Sequence, residues 1–151
     1  MNRLLRWGPV LAWAALIWIF STSTFTSENT GRIIEPIFRW LLPHASPETI
    51  SLLHAIVRKC GHLTEYFIFS LLVLRSLHAG RSGQTLKWAL VTIGIVAAYA
   101  STDEFHQSFV PGRTAAVSDV LIDTTGGAIA QALVALWPSR TRRQLEAPPA
   151  D

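Results

Sequence analysis

The sequence predicts an all-α, polytopic membrane protein: four transmembrane helices plus an amphipathic interfacial helix in the first loop. Three observations predict it. Four apolar runs approach the ~20 residues that a helix needs to cross a hydrocarbon core about 30 Å thick. Formal charges make up only 15% of the 151 residues, against about 25% in soluble domains, and the mean hydropathy is +0.32. The charges gather between the apolar runs instead of alternating with them.

The first run, Trp7 to Phe25, follows Arg3 and Arg6 and ends in the polar stretch Ser21-Thr22-Ser23-Thr24. Positive residues before a short apolar core also describe a cleaved signal peptide. Ser21-Thr22-Ser23 would serve as a small-residue site, but Ala-x-Ala is absent, and a retained span is the expectation. Next, Ile33, Ile34, Ile37, Phe38, Leu41 and Leu42 recur at helical spacing, with Arg32, Glu35 and Arg39 on the other side. That pattern predicts a helix lying on the membrane surface, stopped by Pro43. Ser46-Pro47-Glu48 then reads as a helix start, with Ser46 as cap and Pro47 at the first position.

The second run is His54 to Leu77, with its apolar body from Phe67 to Leu74. The third is Leu86 to Ser101, extending into Phe105. The fourth is Val117 to Trp137, where Gly126, Gly127, Ala128 and Ala130 favour close helix contact in lipid. The predicted organisation is a cytoplasmic N-terminus at 1–6, a transmembrane domain at 7–137 and a disordered cytoplasmic tail at 138–151, polar and proline-containing.

Orientation follows from the Arg and Lys near the helix ends. One side holds Arg3, Arg6, Arg75, Arg81, Lys87, Arg140, Arg142 and Arg143; the other holds Arg32, Arg39, Arg58, Lys59 and Arg113. The excess places both termini inside, in the cytoplasm. The net charge of +3 and pI of 9.6 belong to these flanks. With neither a basic stripe nor a binding motif, nucleic acid is not an expected partner. The single cysteine, Cys60, excludes an intrachain disulfide.

This topology brings polar groups of three helices to the outer face. The second helix carries Lys59, His62, Glu65 and Tyr66, of which Lys59, His62 and Tyr66 share a face. The third ends in Asp103, Glu104, His106 and Gln107, and the fourth begins with Asp119 and Asp123, one turn apart. An ionisable group facing hydrocarbon costs at least ~2.5 kcal/mol, so these side chains should turn inward and pair. Lys59 and Arg113 are expected to meet Asp103, Glu104, Asp119 or Asp123. Pro111-Gly112 reads as a tight turn and Ser118 as a helix cap. His44, His54 and His78 are read as interfacial, and Trp7, Trp40, Trp88 and Trp137 as interfacial anchors.

Two blocks resemble the VanZ-like family of small bacterial membrane proteins. Lys59-Cys60-Gly61-His62-Leu63-Thr64-Glu65-Tyr66 is similar to that family's Lys-x-x-His-x-x-x-Tyr. Asp103-Glu104-Phe105-His106-Gln107-Ser108-Phe109-Val110-Pro111-Gly112-Arg113, followed by Asp119 and Asp123-Thr124-Thr125-Gly126, is similar to its second block. The resemblance covers residues 10 to 137 and departs mildly at Ala130, where the family often has Gly. It implies a bacterial inner-membrane location and a cell-envelope role, and the founding member is associated with low-level teicoplanin resistance. It implies no reaction.

The resulting ligand-binding candidates are Lys59, His62, Tyr66, Asp103, Glu104, Gln107, Arg113, Asp119 and Asp123. They would hold a lipid head group, a lipid-linked wall precursor or a glycopeptide, or simply fix helix register. An enzyme is the alternative, with His62, Asp103, Glu104 and Asp119 as acid–base groups and Lys59 and Arg113 holding a phosphate. A small transporter is a third reading, although no inverted repeat is visible. His62, Asp103, Glu104 and His106 match no zinc signature, so no metal or other cofactor is expected.

Overall fold

The computed structural model describes residues 3–78, 86–113 and 115–136. Within them the chain is all-helical: α1 Arg3–Phe20, a single 3-10 turn Ser23–Phe25, α2 Ser27–Leu41, α3 Pro47–His78, α4 Leu86–Gln107 and α5 Val117–Leu136. Residues 1–2 of the predicted N-terminal segment 1–6, the loop around Arg81, Thr114, Trp137 and the 138–151 tail lie outside the described residues.

Local chemistry sets most boundaries. The Thr26 side chain accepts the Asn29 N–H at 3.3 Å and caps α2. Ser46 Oγ accepts the Thr49 N–H at 3.3 Å, so α3 starts at Pro47, where its missing N–H costs nothing. The apolar run read to Phe25 breaks earlier: α1 ends at Phe20, and the chain turns by 62° into the segment that carries α2. The short polar residues Ser21 to Thr24 cause this, because their side chains compete for backbone partners; Thr22 Oγ1 donates to the Ile19 carbonyl at 2.7 Å. Gly112 turns the chain between α4 and α5 with φ +79°, a left-handed conformation that costs other residues about 1 kcal/mol. Gly112→Ala is expected to lower stability by about that amount, read as a small drop in the thermal midpoint of purified protein.

α1, α3, α4 and α5 form a bundle in which successive members run in opposite directions. At one end the Arg6 guanidinium donates to the Ser76 and Leu77 carbonyls. Midway, Trp13 Nε1 donates to the Glu65 carbonyl at 2.9 Å, and Tyr99 Oη to that of Ala14 at 2.6 Å. At the other end Arg58 reaches the Phe25 carbonyl. Hence α1 lies antiparallel to α3 and parallel to α4, while α3 and α5 run parallel. The core is Val10, Ile17, Tyr66, Phe69, Val73, Val96 and Ala100. Below the polar end, Ser70 Oγ donates to the Gly127 carbonyl at 3.0 Å and accepts from Gln131 at 2.8 Å.

Two glycines of α5 let it approach its neighbours. A Cβ on Gly126 would overlap the Leu63 backbone carbonyl of α3, and one on Gly127 would stand 2.8 Å from Val96 Cγ1 of α4.

The distribution of polarity is inverted relative to a soluble domain. Asp103, Asp123, Gln107, Gln131, Ser70 and Thr92 are buried, whereas Leu11, Leu52, Leu90, Phe105, Leu121 and Leu133 are exposed. On α2, Ile33, Ile37, Trp40 and Leu41 are also exposed; the helix touches α3 through Gly31 and Thr30, whose hydroxyl lies 3.1 Å from His54 Nε2. His54, read as interfacial, is instead buried between α2 and α3. Among the described residues, α5 alone is long and apolar enough by itself to cross a membrane, and α1 qualifies only together with the bent segment after it. α3 and α4 carry more charged residues, among them Glu65 and Arg75 in α3 and Lys87, Asp103 and Glu104 in α4.

Candidate functional site

Parallel packing of α3 on α5 aligns two rungs. Lys59 Nζ lies 3.3 Å from Asp119 Oδ1. One turn deeper, His62 Nδ1 stands 3.4 Å from Asp123 Oδ1, within ion-pair range but not aligned as a hydrogen bond. The first rung is open, Lys59 being 55% and Asp119 31% exposed; in the second, Asp123 is 1% exposed. An exposed pair of the first kind contributes less than about 1 kcal/mol. A double-mutant cycle of Lys59→Gln and Asp119→Asn is therefore expected to return a coupling below about 1 kcal/mol, measured by denaturant unfolding in detergent.

α4 supplies the third wall. Asp103 Oδ2 accepts from Ser21 Oγ at 2.7 Å and from Gln107 Nε2 at 2.9 Å. Gln107 Oε1 in turn accepts from Arg113 Nη1 at 3.1 Å. Glu104 turns toward α5, where Oε1 accepts the Ala116 N–H at 2.7 Å and satisfies a donor at the helix start.

Arg113 meets no carboxylate among the described residues, contrary to the expected ion pair. Its Nη2 donates to the carbonyls of Phe20 and Phe25. The break after α1 exposes those carbonyls, and they lie closer than any acid. Burial, and then the neighbouring Arg58 charge, lowers the Arg113 pKa from its ordinary value. Arg58 Nη1 reaches the same Phe25 carbonyl at 3.2 Å and Thr30 Oγ1 at 3.4 Å. Two guanidinium groups thus share one neutral acceptor.

Several buried polar atoms at this end have no hydrogen-bond partner among the described residues: Tyr66 Oη, Asp103 Oδ1, Glu104 Oε2, both Asp123 carboxylate oxygens, His62 Nδ1 and Arg113 Nε. An unmet buried group costs about 1–3 kcal/mol, so their concentration at one end of the bundle marks the candidate site.

Two clefts open here. One, of ≈ 350 Å³, is lined by polar groups including Arg58, Lys59, His62, Gln107, Arg113 and Asp119. The other, of ≈ 220 Å³, is mostly apolar, with Phe20, Phe25, Ile34, Val57 and Gly61 beside Glu65. Arg58, His62 and Arg113 line both. Of the predicted site residues, Lys59, His62, Gln107, Arg113 and Asp119 therefore meet at one cleft, and Tyr66, Asp103 and Asp123 are buried in the bundle. Glu104 is committed to α5. His106 points away and stacks on Trp18 with ring centroids 3.9 Å apart. Among the described residues no three His, Cys, Asp or Glu side chains converge as a metal would require.

Sequence reasoning missed two participants. Ser21 sits in the polar stretch that closes the first run, and that unexpected polarity was its signal. Arg58 precedes Lys59 and was read only for orientation; a second cation beside the first was the available clue.

A family model described as VanZ/LLP1 matches residues 7–138. The comparison with curated proteins found no match, and the comparison with solved structures found none.

Proposed function

The chain belongs to the VanZ/LLP1 family, and from that membership and its inverted polarity we propose a bacterial inner-membrane protein with four crossings and cytoplasmic termini that binds a cell-envelope component. The crossings are α1, α3, α4 and α5, with α2 lying at the outer interface. Alternating helix direction supports this topology, as do the exposed Leu, Ile and Phe side chains around buried Asp103 and Asp123. Hydrocarbon rewards that arrangement and water penalises it. The described part of α3 spans 32 residues, more than a bilayer needs, so its first turns project outside beside α2.

The observation that carries the binding reading is the ≈ 350 Å³ polar cleft, which three cations, Arg58, Lys59 and Arg113, line together with His62 and the half-buried Asp119. Such a cleft fits the polar part of a lipid head group, a lipid-linked wall precursor or a glycopeptide. A role in teicoplanin resistance belongs to the same reading. The test is gene deletion complemented by the wild type or by Lys59→Gln/Asp119→Asn, in cells assayed for teicoplanin susceptibility and for lipid and wall-precursor content. A change on deletion, restored by the wild type and not by the variant at equal membrane abundance, supports the reading. If the variant complements fully, the cleft is not the working site. Topology is checked separately with a cysteine placed at Ala45 in a Cys60→Ser background. An impermeant thiol reagent added to intact spheroplasts should label it, and labelling only after lysis would refute the orientation.

Catalysis on such a component is the second reading, and one observation favours it. His62, a candidate general base with a carboxylate neighbour, lines both clefts and stands 3.4 Å from the buried Asp123. It predicts turnover of an envelope lipid that Asp123→Asn abolishes.

A further inference from the structure

We propose that Arg58 and Arg113 seat the phosphate of a single-chain lipid, whose chain enters the apolar cleft behind them. This rests on the reading of the polar end as a binding site and names the class of its ligand.

Two guanidinium groups are brought to one carbonyl, that of Phe25, and neither has a carboxylate in ion-pair range among the described residues. Like charges so placed repel; Asp119 offsets this at Arg58, and Asp103, Glu104 and Glu65 at Arg113, only from beyond ion-pair range. Each also keeps donors free. Arg113 Nε is buried without a partner, and Arg58 uses only Nη1 among the described residues. A guanidinium pair with spare planar donors matches the oxygens of a phosphate, which accepts several charge-assisted hydrogen bonds at once.

The surroundings specify what is attached to that phosphate. Both arginines lie on the shared wall of the two clefts, so one group between them has a polar space on one side and an apolar one on the other. Phe20, Phe25, Ile34 and Val57 form the apolar side. A volume of ≈ 220 Å³ is below the roughly 300–1,000 Å³ of pockets that enclose a drug-sized ligand. It takes the first stretch of one hydrocarbon chain, and the rest would continue among the exposed apolar residues of α2 and α3. A free phosphate would leave this cleft unused, and a neutral lipid would leave the arginines unmatched.

Gly61 provides a direct probe. It lines the apolar cleft, and a Cβ added there meets nothing within 4 Å. Leucine at this position adds bulk at the cleft wall with no clash at its Cβ, and within a helix it is the better former. The experiment titrates the full-length protein in neutral detergent with oleoyl lysophosphatidic acid, monooleoylglycerol, glycerol 3-phosphate and inorganic phosphate, following complexes by native mass spectrometry. Lysophosphatidic acid is expected to bind at least about tenfold tighter than each of the other three. Arg58→Gln should abolish the preference over monooleoylglycerol, and Gly61→Leu should weaken both lipids about tenfold with thermal stability equal to or above that of the wild type. Equal affinity for the two lipids in the wild type, a preference that survives Arg58→Gln, or lipid binding unaffected by Gly61→Leu would each overturn the assignment. If no lipid phosphate binds but deletion still alters envelope composition, this inference fails and the broader reading stands. If it binds as stated and deletion leaves the envelope unchanged, the broader reading fails instead.

Discussion

Gly126→Val is expected to lose about 3 kcal/mol or more of stability, because it places side-chain atoms where the α3 backbone already is. A Cβ alone would overlap the Leu63 carbonyl. That neighbour is helical backbone, not a flexible side-chain tip, so α3 and α5 must move apart. Separation would also stretch the His62–Asp123 and Ser70–Gln131 contacts between the two helices. Chemical unfolding in detergent, with limited proteolysis as a second probe, measures the loss. Gly94→Ala is the control: an added Cβ there meets nothing, and removing a mid-helix glycine should gain about 0.5–1 kcal/mol. If Gly126→Val is as stable as the wild type, the close approach of α3 and α5 is wrong.

Asp103→Ala and Asp103→Asn should separate structure from function. Alanine strands the hydroxyl of Ser21 and the amide of Gln107, both of which donate to Asp103 Oδ2. Two buried donors left unmet should together cost about 3 kcal/mol. Asparagine keeps an acceptor oxygen in the same place, and its amide nitrogen can occupy the side of Oδ1, which faces no partner among the described residues. The Asn variant should therefore remain within about 1 kcal/mol of the wild type. If it folds and inserts but fails to complement a deletion, the charge serves the ligand. If it unfolds as readily as the Ala variant, the charge itself holds α1 to α4.

The helices were largely legible in advance. The start of α3 at Pro47 and the span of α5 follow from a proline, a serine cap and an unbroken apolar run, all local features. α4 continues past Ser101 to Gln107, as the run into Phe105 suggested. The end of α1 was misread by five residues, because Ser21 to Thr24 are short enough to ride in a hydrophobic window yet polar enough to end a helix. Spacing put Lys59, His62 and Tyr66 on one face and made Asp119 one of four acids for Lys59 to meet, as it does; the approach of His62 to Asp123 was not foreseen. The partner of Arg113 was not legible. Which acceptor a long cation finds depends on where a broken helix leaves its free carbonyls, and that is decided by the 62° turn. Arg58 was hidden for the same reason: its acceptor, Phe25, is 33 positions away.

The tight seam between α3 and α5 has a consequence for biogenesis. Its halves are separated by all of α4, so a nascent chain completes the first three bundle helices before the glycine surface of the last is made. Until then the strip of α3 that carries His62 and Ser70 lacks its cover, and Asp123 is not yet there to meet the histidine. On the four-crossing reading proposed above, the chain therefore passes through an incompletely packed stage at a defined moment of its synthesis. Truncations ending before Val117 should be degraded in cells, although they retain most of the hydrophobic length.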